Sequence, residues 1–390
     1  MNIPQDLPKL LLAMPLPPPY SGLETSTEML LASPLKERFR LLHFDTSNKV
    51  SNAFRGQFNR HNVASSLKQV FRLLMILARE QPELAMMNMP ANRNGFIKFA
   101  SMVLPCAWRG CKVVARISGG HFDKFYYHEP RWFQAFVRFT LQRIHAVTVL
   151  ADCLKSTLNS IVPPEKLWTV YNCLDPGLFD GLSITRQNET EIHVLYVGHI
   201  SKAKGALDLL EAIPLVLSRH PRTHFQFAGD LLTRERNITF IENPHDMEAT
   251  THNLLKKHEI RENVDLLGII KGKEKLKTFA EADIFILPSY SEGFGFVILE
   301  AMLAGKAVVA TPVGALPEVF EHERHLLYVQ PGDVQGIAAA INRLIEDKGL
   351  RISLGQAARE TVQKAFNLKQ LADRLDVVLT SVLAGDRNIT

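Results

Sequence analysis

A glycine-rich stretch in the second half of the chain holds two glutamates at a spacing that could serve ligand binding. Glu292 and Glu300 lie eight positions apart, with Gly293 and Gly295 between them. A carboxylate accepts hydrogen bonds from two neighbouring hydroxyls, which a sugar or a ribose offers. Glycine lets the backbone approach a ligand closely. These residues predict a site for a hydroxyl-rich ligand, whereas two glutamates taken alone at this spacing could be chance.

The elements around this stretch predict where it lies in a fold. An apolar run, Ile284–Leu287, reads as a strand that leads into the glycine-rich loop, and a helix follows near Phe296. In an open α/β sheet, ligands bind beyond the carboxyl ends of the strands. The free N–H groups at the helix start can bind sugar hydroxyls or phosphate oxygens. The loop is therefore expected to face a ligand crevice.

The first half of the chain alternates apolar runs with helical patterns, which indicates a mostly parallel, doubly wound sheet. The predicted strands are Lys9–Met14, Arg40–Phe44, Leu84–Met87, Lys112–Ile117 and Ala146–Leu150, and the predicted helices are Glu24–Ala32, Ser65–Glu80, Asn94–Trp108 and Arg131–Ile144.

The pattern restarts after a polar stretch, Gly181–Thr190, which reads as a linker. The predicted strands beyond it are Ile192–Val197, His224–Ala228, Val264–Leu267, Ile284–Leu287 and Ala307–Ala310, with a polar insertion at Asp230–Thr251. A length of 390 residues favours about two domains. We predict domains at 1–183 and 184–365, and a C-terminal helix at 366–390 that packs back toward the N-terminal domain.

Composition narrows the class of protein. With 46% hydrophobic and 22% charged residues, the chain is typical of globular proteins. Its four cysteines form no Cys-x-x-Cys pair, so reduced thiols are expected rather than a zinc site or a disulfide framework. No apolar run is long enough to span a membrane, and the N-terminus lacks a signal-peptide pattern. A cytoplasmic location is expected.

Positive charge is concentrated in the first half of the chain. Residues 1–180 carry 21 Lys and Arg against 13 Asp and Glu, and the remainder carries 24 against 27. Two interpretations compete. The basic half is either a solvated surface or a surface that attracts anionic lipid head groups or an acidic acceptor. Nucleic acid is not expected as a partner, because no nucleic-acid-binding motif accompanies the charge.

Three segments resemble one known family. The run Ser289–Gly332, with Glu292, Glu300 and the loop Thr311–Glu318, closely resembles the C-terminal domain of the retaining GT-B glycosyltransferases that include sucrose synthase and bacterial phosphatidylinositol mannosyltransferase. Val197–Gly205 resembles that family's Gly-Arg…Lys-Gly segment, and Asn172, Asp175 and Phe179 resemble its Asn-x-x-Asp…Phe signature. The resemblance implies an α/β fold of GT-B type, in which two Rossmann-like domains face each other across a cleft.

The resemblance also implies a role for each matching residue. Glu300 would bind ribose hydroxyls, Glu292 and the amides after it would hold the transferred sugar, and Lys204 would bind the donor diphosphate. A solvated surface lysine is the alternative for Lys204, and a turn residue is the alternative for Asp175. The implied donor-binding residues are Gly22, Gly198, His199, Lys204, Gly268, Ile269, Ile270, Glu292, Gly293, Phe294, Gly295, Phe296 and Glu300.

The chain departs from the family pattern at three places. His199 replaces the arginine that follows the family's glycine, so phosphate binding would depend more on Lys204, with Lys202 as a second candidate. The N-terminal glycine pair is Ser21-Gly22, of which Gly22 is the expected contact. Ser118 occupies the position of a family histidine that touches the donor sugar, and His121 either takes over that role or is an ordinary loop histidine. The expected catalytic residues are Glu292, Lys204, His121 and Ser118.

The resemblance implies a retaining transfer of a hexose-type sugar from a UDP- or GDP-sugar to a glycan, glycolipid or lipid-linked acceptor. No Asp-x-Asp occurs in the chain, and Glu281 and Asp283 lie at a helix-to-strand junction, so no metal or other cofactor is expected. The alternatives are a nucleotide-sugar epimerase or phosphorylase of the same fold and a catalytically silent nucleotide-sugar-binding protein. Peripheral contact with an anionic membrane is a further expectation.

Overall fold

The computed structural model describes residues 7–18, 22–47, 60–182, 191–231 and 247–385, with side chains of the second helix described from residue 67 onward. Contacts divide the chain into two compact units. The N-terminal unit comprises residues 1–173 and 366–390, and the C-terminal unit comprises residues 174–365. The predicted linker lies mostly outside the described residues.

The N-terminal unit is built on six parallel strands in the order β2-β1-β3-β4-β5-β6. The strands are β1 Lys9–Met14, β2 Arg40–Asp45, β3 Leu84–Asn88, β4 Lys112–Arg116, β5 Ala146–Val149 and β6 Leu167–Thr169, and the helices are α1 Gly22–Ala32, α2 Arg60–Glu80, α3 Arg93–Trp108, α4 Phe122–His128, α5 Arg131–Leu141 and α6 Cys153–Ser156. Its central strands are buried almost completely, as expected for a parallel sheet covered by helices.

The C-terminal unit contains a second sheet of six parallel strands in the order β12-β11-β10-β7-β8-β9. The strands are β7 Ile192–Val197, β8 Thr223–Ala228, β9 Val264–Gly268, β10 Ile284–Leu287, β11 Ala307–Ala310 and β12 Leu327–Tyr328, and the helices are α7 Ala206–Leu217, α8 Met247–Lys257, α9 Gly272–Glu281, α10 Phe296–Leu303, α11 Leu316–Val319, α12 Val334–Glu346 and α13 Lys348–Ala365. The predicted α/β fold class, with two doubly wound parallel sheets, is confirmed.

The last helix, α14 Leu368–Ala384, belongs to the N-terminal unit. Lys112 Nζ donates to the carbonyls of Val382 and Leu383 at 2.9 and 2.8 Å, where a cation suits the helix C-terminus. Arg38 pairs with Asp373 and, at 3.0 Å, with Asp376. Within the described ranges, every helix is too short or too polar to cross a membrane.

Several elements differ from the sequence predictions. β6 and β12 were not predicted, because strands of three and two residues carry too little periodicity. The insertion expected at Asp230–Thr251 was wrong in its last part, where α8 begins at Met247. α4 was also missed. It forms because Phe122 and Phe125 bury their rings against Phe96 of α3.

Candidate active site

The loops that follow the strands of the C-terminal sheet carry most of the predicted site residues. β7 lies between β10 and β8, so the strand order reverses beside it. Ligands of open α/β sheets bind beyond the carboxyl ends of the strands at such a switch point. The segment Gly198–Gly205 follows β7, and the segment Pro288–Gly295 follows β10. The two predicted donor segments are therefore neighbours.

The loop after β7 approaches the loop after β10 at a glycine. Gly205 has φ +70°, and a Cβ atom there would lie 2.0 Å from the carbonyl oxygen of Pro288. Only glycine fits such an approach in this backbone conformation. Tyr290 N donates to the Ala203 carbonyl at 3.0 Å, which ties the same two loops together. This contact brings Lys204 beside the glycine-rich loop.

Lys204 and Glu292 form an ion pair in the C-terminal unit. Lys204 Nζ donates to Glu292 Oε1, and Ser289 Oγ lies 3.5 Å from the same oxygen. The side chains of Lys204 and Glu292 are 28% and 13% exposed, so the pair is accessible to a ligand. The expected diphosphate-binding cation and the expected sugar-binding carboxylate therefore lie at one point. This geometry could hold a phosphate oxygen and a sugar hydroxyl side by side.

A second ion pair joins Glu300, on α10, to Lys275, on α9. Lys275 Nζ lies 2.7 Å from both carboxylate oxygens of Glu300, but the hydrogen-bond geometry is met only at Oε1. Glu300 Oε2 is buried and accepts no hydrogen bond from the described residues. An additional hydroxyl donor would satisfy it. Glu300 is thus suited to bind the hydroxyls of a ligand.

Burial sets the protonation behaviour of Glu300. The residue is 6% exposed, and burial raises the pKa of its carboxyl group because the charged form loses water. The charge and hydrogen bond of Lys275 lower the pKa and oppose this effect. Lys275 was missed by sequence reasoning. It is one of four lysines between residues 271 and 277, and nothing in that run distinguishes the one that reaches Glu300.

The loop after β11 fixes the backbone of the glycine-rich loop. Gly314 has φ +61°, and a Cβ atom there would lie 2.1 Å from the Glu292 carbonyl oxygen. Ala315 N donates to the Gly293 carbonyl at 2.8 Å, and Thr311 Oγ1 donates to the Ser289 carbonyl at 2.5 Å. These contacts hold Glu292 in place through its main chain.

The aromatic residues of the glycine-rich loop point away from solvent. Phe294 is 2% exposed and Phe296 is 8% exposed, so their rings belong to the core. Gly295 is the residue before the first turn of α10. Because the first N–H groups of a helix have no partner within it, the main chain here can offer donors to a ligand. Gly295 and Phe296 thus remain candidates through their main-chain amides, and the role expected for Phe294 stays a prediction.

His199 does not supply a permanent positive charge. Its side chain has an exposed surface, yet protein atoms crowd the imidazole, and this partial desolvation lowers the pKa of His199. Asp230 raises the pKa, and the positive charge of Lys204 lowers it. The neutral imidazole therefore dominates at pH 7. Lys204 is the stronger candidate for binding a phosphate beside Gly198.

The residues expected near the nucleotide base lie at the end of β9. Gly268 has φ +65° and its carbonyl accepts a hydrogen bond from Gly229 N at 2.8 Å. Ile269 is 58% exposed, whereas Ile270 is 8% exposed. An exposed isoleucine beyond a strand end offers a flat ligand an apolar surface. Gly268, Ile269 and Ile270 remain candidates for base contact.

The remaining predicted residues lie in the N-terminal unit. Gly22 is exposed and begins α1, while Ser21 lies outside the described residues. Ser118 Oγ is buried and has no hydrogen-bond partner among the described residues. His121 precedes α4, and partial burial, followed by the charge of Lys124, lowers the pKa of its imidazole. His121 is thus neutral at pH 7.

The Asn-x-x-Asp…Phe residues have structural partners. Asn172 Oδ1 accepts a hydrogen bond from Arg116 Nη2 at 2.9 Å. Asp175 Oδ1 accepts one from Gly177 N at 3.0 Å, which is the contact of a turn residue. The ring of Phe179 packs against Phe279 with centroids 6.4 Å apart. Within the described ranges, no three His, Cys, Asp or Glu side chains are grouped as metal ligands would be.

Part of the chain is similar to known glycosyltransferases. Residues 183–361 match the family model described as Glycosyl transferases group 1. An uncharacterized glycosyltransferase of Methanocaldococcus jannaschii is 29% identical over 60% of this chain and 59% of its own length. The N-acetyl-alpha-D-glucosaminyl L-malate synthase of Bacillus anthracis is 26% identical over 65% of this chain and 64% of its own length. The matched region spans less than two thirds of either relative.

Solved structures match nearly the whole chain. HepE of Anabaena, in a crystal structure with UDP and glucose, superimposes with a TM-score of 0.72 at 18% identity, and the match covers 96% of this chain and 100% of HepE. At this identity the likeness shows the fold. The C-terminal unit is thus similar to the group 1 glycosyltransferases, and the two parallel sheets have the fold of HepE.

Proposed function

We propose that this chain transfers a hexose-type sugar from a UDP- or GDP-sugar to a glycan, glycolipid or lipid-linked acceptor, with retention of anomeric configuration. The observation that carries the proposal is the presence of two lysine–glutamate pairs in the C-terminal unit, one of them on the two loops at the switch point of its sheet. Lys204 with Glu292 and Lys275 with Glu300 provide cations for a diphosphate and carboxylates for hydroxyls. A nucleotide-sugar offers both kinds of group.

Lys204 would act on the leaving group. Its ammonium has three N–H donors, of which one is used by Glu292, so a diphosphate oxygen can be bound as well. Negative charge grows on the diphosphate as the glycosidic bond breaks, and a fixed cation stabilises that charge. In this scheme the departing diphosphate accepts the proton of the acceptor hydroxyl. The protein then supplies orientation and charge stabilisation rather than a nucleophile.

Glu292 and Glu300 would hold the donor at its two ends. Glu292 accepts from the hydroxyls of the transferred sugar, while Oε2 of Glu300 accepts from the ribose. The similarity to HepE, which binds UDP and glucose, supports UDP as the nucleotide. GDP is the other candidate, because main-chain contacts near Gly268 leave little trace in side-chain identity.

The experiment that tests the proposal is a binding and turnover panel on the full chain. We expect UDP or GDP to raise the melting temperature, because a ligand of the folded state stabilises it by mass action. Sugar transfer to an acceptor should then follow with the matching donor. Release of free epimerised sugar would favour the epimerase, and tight nucleotide binding without turnover would favour a silent binding protein. Absence of any nucleotide response would contradict the proposal.

Transfer should survive chelation, because we propose a reaction without a bound metal. With EDTA in excess over the protein and over trace metal, we expect an unchanged rate. The measurement is initial rate with and without EDTA, with added NaCl at matched ionic strength as the control. A rate abolished by EDTA and restored by Mg²⁺ or Mn²⁺ would overturn the metal-free reaction.

A ranking of two variants tests which residue replaces the family histidine. His121 is neutral at pH 7 and can hydrogen-bond a donor sugar hydroxyl, a contact that would strengthen in the transition state. We expect His121→Ala to lower turnover about tenfold to a hundredfold with donor affinity less affected. Ser118→Ala is the matched variant and should matter less. The opposite ranking would assign the contact to Ser118.

The α2 helix gives a physical basis for membrane contact. Its exposed surface carries Leu67, Phe71 and Met75, which are 65%, 62% and 45% exposed, while Leu73 and Leu77 face the core. Exposed basic side chains accompany them, namely Lys68, Arg72 and Arg79. Apolar side chains with a basic rim are typical of helices that lie in the surface of an anionic membrane. We therefore propose peripheral binding on the cytoplasmic side.

Vesicle binding checks this proposal. Phosphatidylserine-containing vesicles should bind the chain, and binding should weaken as salt screens the basic residues. Each of Lys68→Gln and Arg72→Gln should weaken binding about fivefold. Phe71→Ser should also weaken it, whereas Val377→Ser, at a 58% exposed position on α14, should not. Failure to bind at low salt would favour a merely solvated basic surface.

A further inference from the structure

A row of polar side chains crosses the carboxyl end of the N-terminal sheet. Asn88 on β3, Arg116 on β4 and Thr148 on β5 are register partners, so their side chains leave the same face of the sheet. The strands before them are almost wholly apolar and buried. β3 lies next to β1, where the strand order of this sheet reverses. Ligands bind at this end of an open α/β sheet.

Arg116 is buried with most of its hydrogen-bonding capacity unused. The residue is 2% exposed, and its Nη2 donates to Asn172 Oδ1 at 2.9 Å. Its Nε and Nη1 atoms are buried and have no acceptor among the described residues. The Nδ2 atom of Asn88, on the neighbouring strand, is also buried without an acceptor. The groups left over are all N–H donors, so a ligand that matches them must bring acceptor atoms.

The charge of Arg116 is also uncompensated within the described chain. Burial lowers the pKa of Arg116 to about 10, which still leaves the guanidinium charged at pH 7. The ionisable group that acts on it is the thiol of Cys173, and burial raises the pKa of that thiol to about 12, so it stays neutral. A buried charge without a partner is strongly unfavourable. An anion beside Arg116 would remove this cost.

A second arginine adds positive charge to the same region. Arg374 on α14 acts on the Cys173 thiol, and its Nη1 is buried without an acceptor among the described residues. The carboxylate near Arg374 is Asp152, which is already bound by Lys155 at 2.7 Å and by Thr169 at 2.5 Å. The region therefore offers more positive charge than its own carboxylates neutralise.

We propose that Arg116, with Asn88 beside it, binds a carboxylate or phosphoryl group of the acceptor at the carboxyl end of the N-terminal sheet. Arg suits this task because its planar donors match two oxygens of such a group. The acceptor would then be an anionic molecule rather than a neutral glycoside. This assignment rests on the proposed transferase function, because it identifies the bound anion as part of the acceptor.

The test is thermal unfolding of the full chain with small anions. Succinate, glycerol 3-phosphate and inorganic phosphate are compared with chloride at equal ionic strength. At least one of them should raise the melting temperature of the wild type and of Arg109→Gln, an exposed control. Arg116→Gln should lose that rise, and its titration should show affinity about tenfold to a hundredfold weaker. Asn88→Ala should weaken the same response.

The melting temperature in chloride distinguishes an arginine that binds a ligand from one that only stabilises the fold. If Arg116 awaits an anion, Arg116→Gln should melt no lower than the wild type, because an unpaired buried charge is removed. A lower melting temperature together with no anion response in the wild type would overturn the proposal. Equal anion responses in Arg116→Gln and the wild type would overturn it too.

The rise in melting temperature caused by UDP or GDP distinguishes the proposed anion site from the proposed nucleotide site. Glu300→Gln should weaken the UDP or GDP response and keep the anion response, whereas Arg116→Gln should do the reverse. Loss of the nucleotide response in Arg116→Gln, with no response to the carboxylates, would assign the arginine to the donor diphosphate and overturn the acceptor assignment. An anion response through Arg116 in a chain that binds no nucleotide would overturn the proposed transferase instead.

Discussion

Replacing Lys204 with alanine is expected to lower the rate of sugar transfer about a hundredfold to a thousandfold, the cost of losing one preorganised charge-stabilising donor. Lys204 Nζ is held against Glu292 on the loop after β10, so its position is fixed before any charge develops. Charge on the diphosphate grows during bond breaking, and Lys204 should therefore matter more to the transition state than to the bound donor. The rate at saturating donor and the donor Kd by calorimetry measure the two effects.

Two further variants separate charge from packing at Lys204. Lys204→Arg keeps the cation and should retain more activity than Lys204→Ala. Lys202, two residues earlier in the same turn, is the matched control, and Lys202→Ala should change the rate much less. Equal losses of donor affinity and of rate in Lys204→Ala would instead indicate uniform binding of substrate and transition state.

Five of the six strands of the C-terminal unit, β7 to β11, could be predicted closely because each one is a short apolar run between turn signals. The bounds of β10 and β11 match the predicted Ile284–Leu287 and Ala307–Ala310. Buried parallel strands are apolar throughout, so the run itself marks the strand. Helix starts were less accurate. α2 begins at Arg60 rather than Ser65, because residues 60–64 are mostly polar and carry no apolar periodicity.

The contacts that assemble the candidate site could not be predicted from the sequence. Lys204 and Glu292 are 88 positions apart, and Lys275 and Glu300 are 25 apart. Periodicity describes neighbours along an element, whereas these pairs depend on how loops after different strands meet. Gly205 and Gly314 show the same limit. Each is required by a backbone atom on another loop, which no local pattern reveals.

The burial of Arg116 in the N-terminal unit could not be predicted from the sequence either. In the sequence it was one of many basic residues in the positive half of the chain, and the pattern favoured a solvated or lipid-facing surface. The structure buries it at the end of β4, because its register partners Asn88 and Thr148 lie on the same covered face of the sheet. Net charge therefore did not distinguish a surface arginine from a buried one.

Replacing Glu300 with glutamine should weaken nucleotide binding by about 1 to 3 kcal/mol, because the charged acceptor of the ribose hydroxyls is lost from a buried position. The measurement is calorimetric titration with UDP and GDP. Glu281→Gln is a matched control, since the side chain of that glutamate, at the end of α9, is 40% exposed and lies 3.6 Å from Lys277. An unchanged affinity in Glu300→Gln would remove the ribose role.

Replacing Lys275 with methionine should move the pH dependence of nucleotide binding. Donor hydroxyls bind the ionised Glu300 carboxylate, so affinity should fall as pH decreases through its pKa, which burial raises. Lys275 opposes that rise, and its removal should raise the pKa further, so Lys275→Met should lose affinity at a higher pH than the wild type. Lys275→Arg keeps the cation, so its affinity for the nucleotide should fall at nearly the same pH as that of the wild type. Glu300→Gln should not lose affinity in this way, because it has no carboxyl group to titrate. Calorimetric titrations across the acid and neutral range measure these affinities. If Lys275→Met lowers affinity equally at every pH, Lys275 contacts the nucleotide directly instead of holding Glu300 in its ionised form.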